Sequence, residues 1–176
     1  MKTTREKKRV IRKQLPTTSG ITCGTDNPAS MNCRYYELEG GEVGTMFVAG
    51  KIHEGHVGVM HGGLSSSVLD ETMGRSCRAV KVDDGESVHM YVTAELTTKY
   101  LKPIMIGEKM FAYGRVDRAE GRRCYTSGEI VDESGEVMAA ASGVFVRIVK
   151  NKTSLTIDEE YLSSYEKLTD NDPKEL

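Results

Sequence analysis

The sequence predicts an α+β domain in which an antiparallel β-sheet curls around one buried helix. Three observations carry that prediction. A glycine-punctuated loop (Gly55, Gly58, Gly62, Gly63) runs into a stretch with few breakers and apolar residues at Leu64, Val68, Leu69 and Met73, which reads as one helix of about four turns. The β-prone runs on either side are joined mostly by short glycine turns. The last run is full of small residues (Ala139, Ala140, Ala141, Ser142, Gly143), which let a bulky element pack closely, and the single helix is the obvious one.

The elements follow in order. Residues 1–15 carry seven basic side chains against one acid, Glu6, and read as a solvated tail. Val10, Ile11, Gln14 and Leu15 suggest a short docking helix before Pro16. Residues 17–31 are turn-rich, with Asn27-Pro28 favouring an extended or turn geometry. Two strands are expected at residues 33–38 and 43–49, hinged at Gly40-Gly41. After the loop and helix, residues 81–87 form a polar connection. A long strand is expected over residues 89–101, then three more over 109–118, 122–131 and 136–149, with turns at Glu120-Gly121 and Ser134-Gly135. In the acidic end, Thr156 and Glu159 suggest a capping box, and Ile157, Tyr161, Leu162, Tyr165 and Leu168 fall near helical spacing. A short surface helix and then disorder near Pro173 are expected. The domain division is thus a basic mobile tail at 1–20, one folded domain at 21–150 and an acidic extension with a short helix at 151–176.

Composition narrows the function. A net charge of −2 over 176 residues gives no global pull toward nucleic acid or a membrane surface. No apolar run approaches the roughly 18 residues of a membrane span, and no signal-peptide core follows the basic start. Four cysteines (Cys23, Cys33, Cys77, Cys124) lie without paired spacing, which argues against zinc and against a disulfide framework. A reducing, cytoplasmic setting is expected. His53, His56 and His61 have no supporting cysteine or acid pattern, so no metal is expected. The glycine-rich loop lacks a P-loop Lys-Ser/Thr, and Ser65-Ser66-Ser67 lacks a nucleophile-elbow pattern.

His61-Gly62-Gly63, with Asp70 nine residues after the histidine and Gly74 four further on, resembles the PaaI-like group of hotdog-fold acyl-CoA thioesterases. The resemblance extends from Cys23-Gly24-Thr25-Asp26-Asn27-Pro28 through Val92-Thr93-Ala94-Glu95-Leu96, Tyr100-Leu101-Lys102-Pro103 and Gly121-Arg122-Arg123 to Ala141-Ser142-Gly143-Val144-Phe145-Val146. It covers roughly residues 22–148. Many members carry Asn in the loop before His-Gly-Gly, where this chain has His53, Gly55 and His56. The resemblance implies a hotdog fold, an acyl-CoA substrate whose coenzyme A is part of the substrate rather than a cofactor, and paired protomers, as a homodimer or a dimer of dimers.

The residues permit that chemistry. Thioester hydrolysis needs a polarised carbonyl, a nucleophile or base, and stabilisation of the oxyanion. The first turn of the helix offers free N–H groups, so Gly62 is the expected carbonyl donor, with Gly63 beside it. Asp70, in mid-helix, either attacks the carbonyl or activates water. Glu71 lies about 100° round the helix, so at most one of the two acids faces the substrate, and Asp70 is preferred. Thr93 matches a family position beside the acid. His61 shapes the loop or bonds near the carbonyl. His56, Gly63, Glu71, Arg122 and Arg123 are the expected substrate contacts, the arginines through coenzyme A phosphates. Gly62 and Asp70 are eight residues apart, about 12 Å along one helix. A carbonyl within about 3 Å of both is impossible in one chain, so the two roles are expected from different copies. The alternative reading is a non-catalytic acyl-CoA binder or sensor.

Overall fold

The computed structural model describes residues 5–80, 89–149, 161–162 and 164–176. Its centre is helix α1 (Gly62–Ser76), wrapped by an eight-stranded antiparallel sheet. The strands are β1 (Val10–Gln14), β2 (Arg34–Leu38), β3 (Val43–Val48), β6 (Tyr91–Tyr100), β7 (Lys109–Glu120), β8 (Arg123–Asp132), β9 (Val137–Arg147) and β10 (Tyr165–Glu166), in the spatial order β10-β1-β2-β3-β7-β8-β9-β6. A small hairpin, β4 (Glu54–His56) with β5 (Val59–Met60), precedes the helix. This is the hotdog arrangement that the sequence predicts.

The helix lies close to the sheet because glycines face it. Gly114 and Gly128 stand opposite each other in the β7–β8 register. A Cβ on Gly114 would come within 2.8 Å of the helix backbone at Thr72 and Met73, and one on Gly128 within 2.9 Å of the Met73 side chain. No side chain could replace either without moving the helix. Gly143 continues the arrangement on β9, its Cβ position 3.0 Å from the Met73 methyl. Val68, Leu69 and Met73 are fully buried in this cradle, each contributing roughly 1.5–3 kcal/mol of hydrophobic stabilisation. Three hydroxyls of α1 bond to carbonyls within the helix. Thr72 donates to the Val68 carbonyl at 2.6 Å, Ser67 to Gly63 at 2.9 Å and Ser76 to Met73 at 2.7 Å.

The two ends of the chain depart from expectation. Residues 10–14, expected as tail or docking helix, form β1, in which Val10 packs on the outer face of the sheet, Gln14 is buried against Arg75 of α1, and Lys13 pairs with Glu166 and Asp172 at 3.0 Å each. Near Pro173 the chain is bonded rather than disordered. Lys8 and Leu176 exchange two backbone hydrogen bonds, and Val10 N–H donates to the Lys174 carbonyl at 2.9 Å. Arg5 bonds to Glu42 and Glu129, with its guanidinium 3.7 Å from the centre of the Tyr113 ring. The physical reason is the outer face of the sheet, where Tyr36, Leu38, Tyr113 and Val131 need cover and receive it from Val10 and Leu176. The expected connection at 81–87 and the capping box at Thr156 and Glu159 lie outside the described residues. No helix among the described residues is long and apolar enough to cross a membrane.

Candidate active site

Asp70 is held by the strand beside it. It is half-buried on the flank of α1, and its Oδ1 accepts a 2.7 Å hydrogen bond from the Thr93 hydroxyl on β6. Thr93 is aimed there by register, since it pairs with Phe145 of β9, whose ring packs 3.0 Å from where a Gly74 Cβ would stand. Burial pushes the Asp70 carboxyl above the usual aspartate range, the Thr93 hydrogen bond pulls it back, and the Glu71 charge pushes it up again. None of the ion pairs among the described residues includes Asp70.

Glu71, one residue on, meets a different environment. Its Oε1 accepts from Arg75 Nε at 2.8 Å, one helical turn away. Arg75 is 2% exposed and saturated: it also donates to Gln14 Oε1, the Leu15 carbonyl, Cys23 Sγ and the Tyr161 hydroxyl, and lies 4.4 Å from the Tyr35 ring centre. Glu71 is thus the counter-ion of a buried arginine, whereas Asp70 has no cation partner among the described residues.

The helix N-terminus is equally specific. His61 is the N-cap, its Nδ1 accepting from the Gly63 amide at 3.0 Å. Its carbonyl accepts from Leu64 and Ser65 at 3.0 and 3.3 Å. The Gly62 amide is the one first-turn donor with no acceptor among the described residues. Over Gly62 lies the Tyr100 ring, 3.3 Å from where a Cβ would stand, fixed by a 2.6 Å bond between the Tyr100 hydroxyl and Ser66. Gly55 lets the β4–β5 hairpin close on His61, where a Cβ would sit 2.9 Å from the histidine backbone.

Two cavities flank Asp70. One of about 270 Å³ is lined by Gly74, Arg78, Tyr91, Phe145, Tyr161 and Leu162; the other, about 570 Å³, by Ile21, Thr22, Ser66, Ser67 and Leu96. Thr17, Asp70, Glu71 and Thr93 line both. Gly62 opens on a third, about 310 Å³, with Tyr100, Leu101 and Pro103.

Set against the sequence expectations, the structure joins Asp70 with Thr93 and places Glu71 beside them. It engages the Gly63 amide with His61 and separates Gly62 from Asp70. His56 is exposed on β4, and Arg122 and Arg123 are exposed at the β7–β8 turn, lining neither Asp70 cavity. His53 is buried and bonded to the Gly50 amide and the Ala29 carbonyl. Among the described residues no group of His, Cys, Asp or Glu is arranged to hold a metal. Sequence reasoning missed Arg75, although its i, i+4 spacing from Glu71 is a readable ion-pair signal. It also missed Tyr100, for which the sequence carries no local signal.

Comparison with known proteins agrees with this fold. The Thioesterase superfamily matches residues 57–139. An uncharacterized protein of Schizosaccharomyces pombe is 30% identical over 120 residues, 65% of this chain and 66% of that one. The acyl-coenzyme A thioesterase THEM4 of Xenopus laevis is 28% identical over 117 residues, 66% of this chain and 50% of its own. The chain therefore spans about half to two thirds of the length of these relatives. Among solved structures, a thioesterase superfamily protein superposes with a TM-score of 0.62 at 27% identity, covering 70% of this chain and 57% of that one. The PaaI protein of E. coli shares the fold, with a TM-score of 0.60 at 18% identity over 68% of this chain and 81% of its own. Motif, fold and likeness converge: residues 57–139 match the Thioesterase superfamily, and the chain has the hotdog fold shared by these solved structures.

Proposed function

We propose that the protein hydrolyses acyl-CoA thioesters at a site completed by two copies of the chain, Asp70 coming from one and the Gly62 amide from the other. The observation that carries this reading is the layout of β6. Thr93 near its start holds Asp70, and Tyr100 at its end covers Gly62. Seven residues separate them, about 23 Å of strand. β6 is also an edge of the sheet, with ten residues and no strand among the described residues on its outer side. Two β6 edges paired antiparallel about Leu96 and Thr97 would set Thr93 of one copy opposite Tyr100 of the other. Asp70 and the partner Gly62 would then face each other across the seam, a two-fold interface with two equivalent sites.

The chemistry follows from the groups so assembled. The Gly62 N–H, reinforced by the helix dipole, polarises the thioester carbonyl and receives the developing oxyanion. The ionised Asp70 either adds to the carbonyl carbon, expelling coenzyme A thiolate and leaving an anhydride that water cleaves, or takes a proton from the water that adds. Both routes give the carboxylic acid and the free thiol. An acid with no cation beside it favours hydrolysis over simple binding, since a binder gains nothing from a carboxylate held partly out of water. THEM4, by its name an acyl-coenzyme A thioesterase, supports the substrate class.

Mixing two inactive variants tests the shared site. In one Asp70→Asn removes the acid; in the other Gly62→Val pushes a side chain into the Tyr100 ring. Random exchange makes half of the dimers mixed, and one of the two sites in each is whole, so about a quarter of wild-type thiol release returns. Mixtures that stay inactive after exchange is demonstrated with a tagged variant would exclude the shared site.

A further inference from the structure

The cavity beside Asp70 is closed by segments outside the matched domain. Thr17 stands before residues 57–139, and Tyr161 and Leu162 stand after them. Thr17, Asp70, Glu71 and Thr93 separate this cavity from the larger one, whereas Tyr161 and Leu162 line it alone, with Arg78, Tyr91 and Phe145. Tyr161 and Leu162 line the cavity of about 270 Å³ and not the second one. A buried arginine fastens them. Arg75 donates to the Tyr161 hydroxyl at 2.9 Å and to the Leu15 carbonyl at 3.0 Å, and the Tyr161 hydroxyl itself donates to Leu15 at 3.2 Å. The Arg78 guanidinium lies 5.2 Å from the centre of the Tyr161 ring. The rigid fork of Arg75 thus ties both flanks of the chain to α1.

We propose that Tyr161 and Leu162, held by Arg75, form the end wall of the acyl compartment and set the longest acyl group that the site accepts. The assignment rests on the acyl-CoA reading of the Asp70 site. At about 270 Å³ the cavity is at the lower edge of small-molecule sites, roughly 300–1,000 Å³, which suits acyl groups of short to medium length. Arg75 and Tyr161 are positioning residues here. Leu162 would touch the far end of the acyl chain.

The test compares Leu162→Ala, Leu162→Trp and Tyr161→Phe with the wild type across straight-chain acyl-CoAs from acetyl to palmitoyl. Thiol release gives kcat/KM for each, and the same series is titrated by calorimetry against forms that also carry Asp70→Asn. Leu162→Ala should raise the ratio of long-chain to short-chain kcat/KM by on the order of 10-fold or more, the scale of a methylene-sized change in an apolar pocket. Leu162→Trp should lower it, and Tyr161→Phe should shift it toward longer chains by less. The binding ratios should move in step. An unchanged length profile in the two Leu162 variants overturns the wall, as does failure of every member of the series to bind. Binding that follows the expected profile without thiol release from the wild type would uphold the wall and refute the hydrolase.

Discussion

Asp70 and Arg75, on one helix, have opposite surroundings, and under the proposed mechanism the contrast separates what holds this protein together from what it acts with. Arg75 is buried and saturated, with a carboxylate, an amide oxygen, a carbonyl, a thiol and a phenol around it. Asp70 has one hydroxyl and two cavities. A charge removed from water needs compensation or it costs stability. The chain compensates at Arg75 and leaves Asp70 short, which is the pattern of a group retained for reactivity.

The contrast can be broken hardest at Arg75. Arg75→Ala takes the counter-ion from Glu71 and the donor from Gln14 Oε1 and should destabilise the fold by about 3–5 kcal/mol, read as a lowered midpoint in urea. The reverse is expected at Asp70, where Asn should keep the fold and lower turnover by a factor of roughly 10² or more. Because burial raises the Asp70 carboxyl, the folded state holds its proton more tightly than the unfolded chain does. Its relative stabilisation is therefore complete below the unfolded pKa and is lost as pH rises through the raised folded value. At neutral pH the charged Asp70 is a cost, so Asp70→Asn should melt no lower than the wild type. A clear fall in Tm would assign Asp70 a structural role like that of its neighbour.

Glu71→Gln sharpens the comparison, since it takes the counter-ion from Arg75 but leaves Asp70 and Thr93 in contact. Turnover should fall by less than about 10-fold while the melting temperature falls; abolished turnover would instead make Glu71 the reacting acid. The smallest expected effect is in the pH profile. The proposed mechanism requires the carboxylate, so kcat/KM should fall as acid is added through the raised Asp70 pKa. Thr93→Ala, which removes the hydrogen bond that lowers this pKa, should move the acid limb to higher pH. Glu71→Gln, which removes a repelling charge, should move it to lower pH. Shifts in the same direction would break the assignment.

Local pattern was enough for much of this molecule. The helix at Gly62–Ser76 has the expected length of about four turns, and strands β2, β3 and β6 to β9 lie within about two residues of the expected bounds, because apolar periodicity and glycine turns are short-range signals. Asp70 stood out for the same reason, as an acid in a stretch otherwise suited to burial. The sequence also determined that the last strand would present small residues to the helix, as Ala139, Ala141 and Gly143 do.

Tertiary structure decided the rest. Residues 10–14 became a strand instead of a tail because the outer sheet face needed a neighbour, a demand that their own composition does not reveal. Asp70 and Glu71 are chemically near-equal in the sequence; which one is neutralised depends on where Arg75 is held, and that is set by Gln14, Leu15 and Tyr161 from distant parts of the chain. The free amide of Gly62 likewise depends on how His61 turns to cap Gly63. Periodicity records which side of an element faces inward, whereas partner choice depends on distances of a few ångströms between segments far apart in sequence, and only the packed chain fixes those.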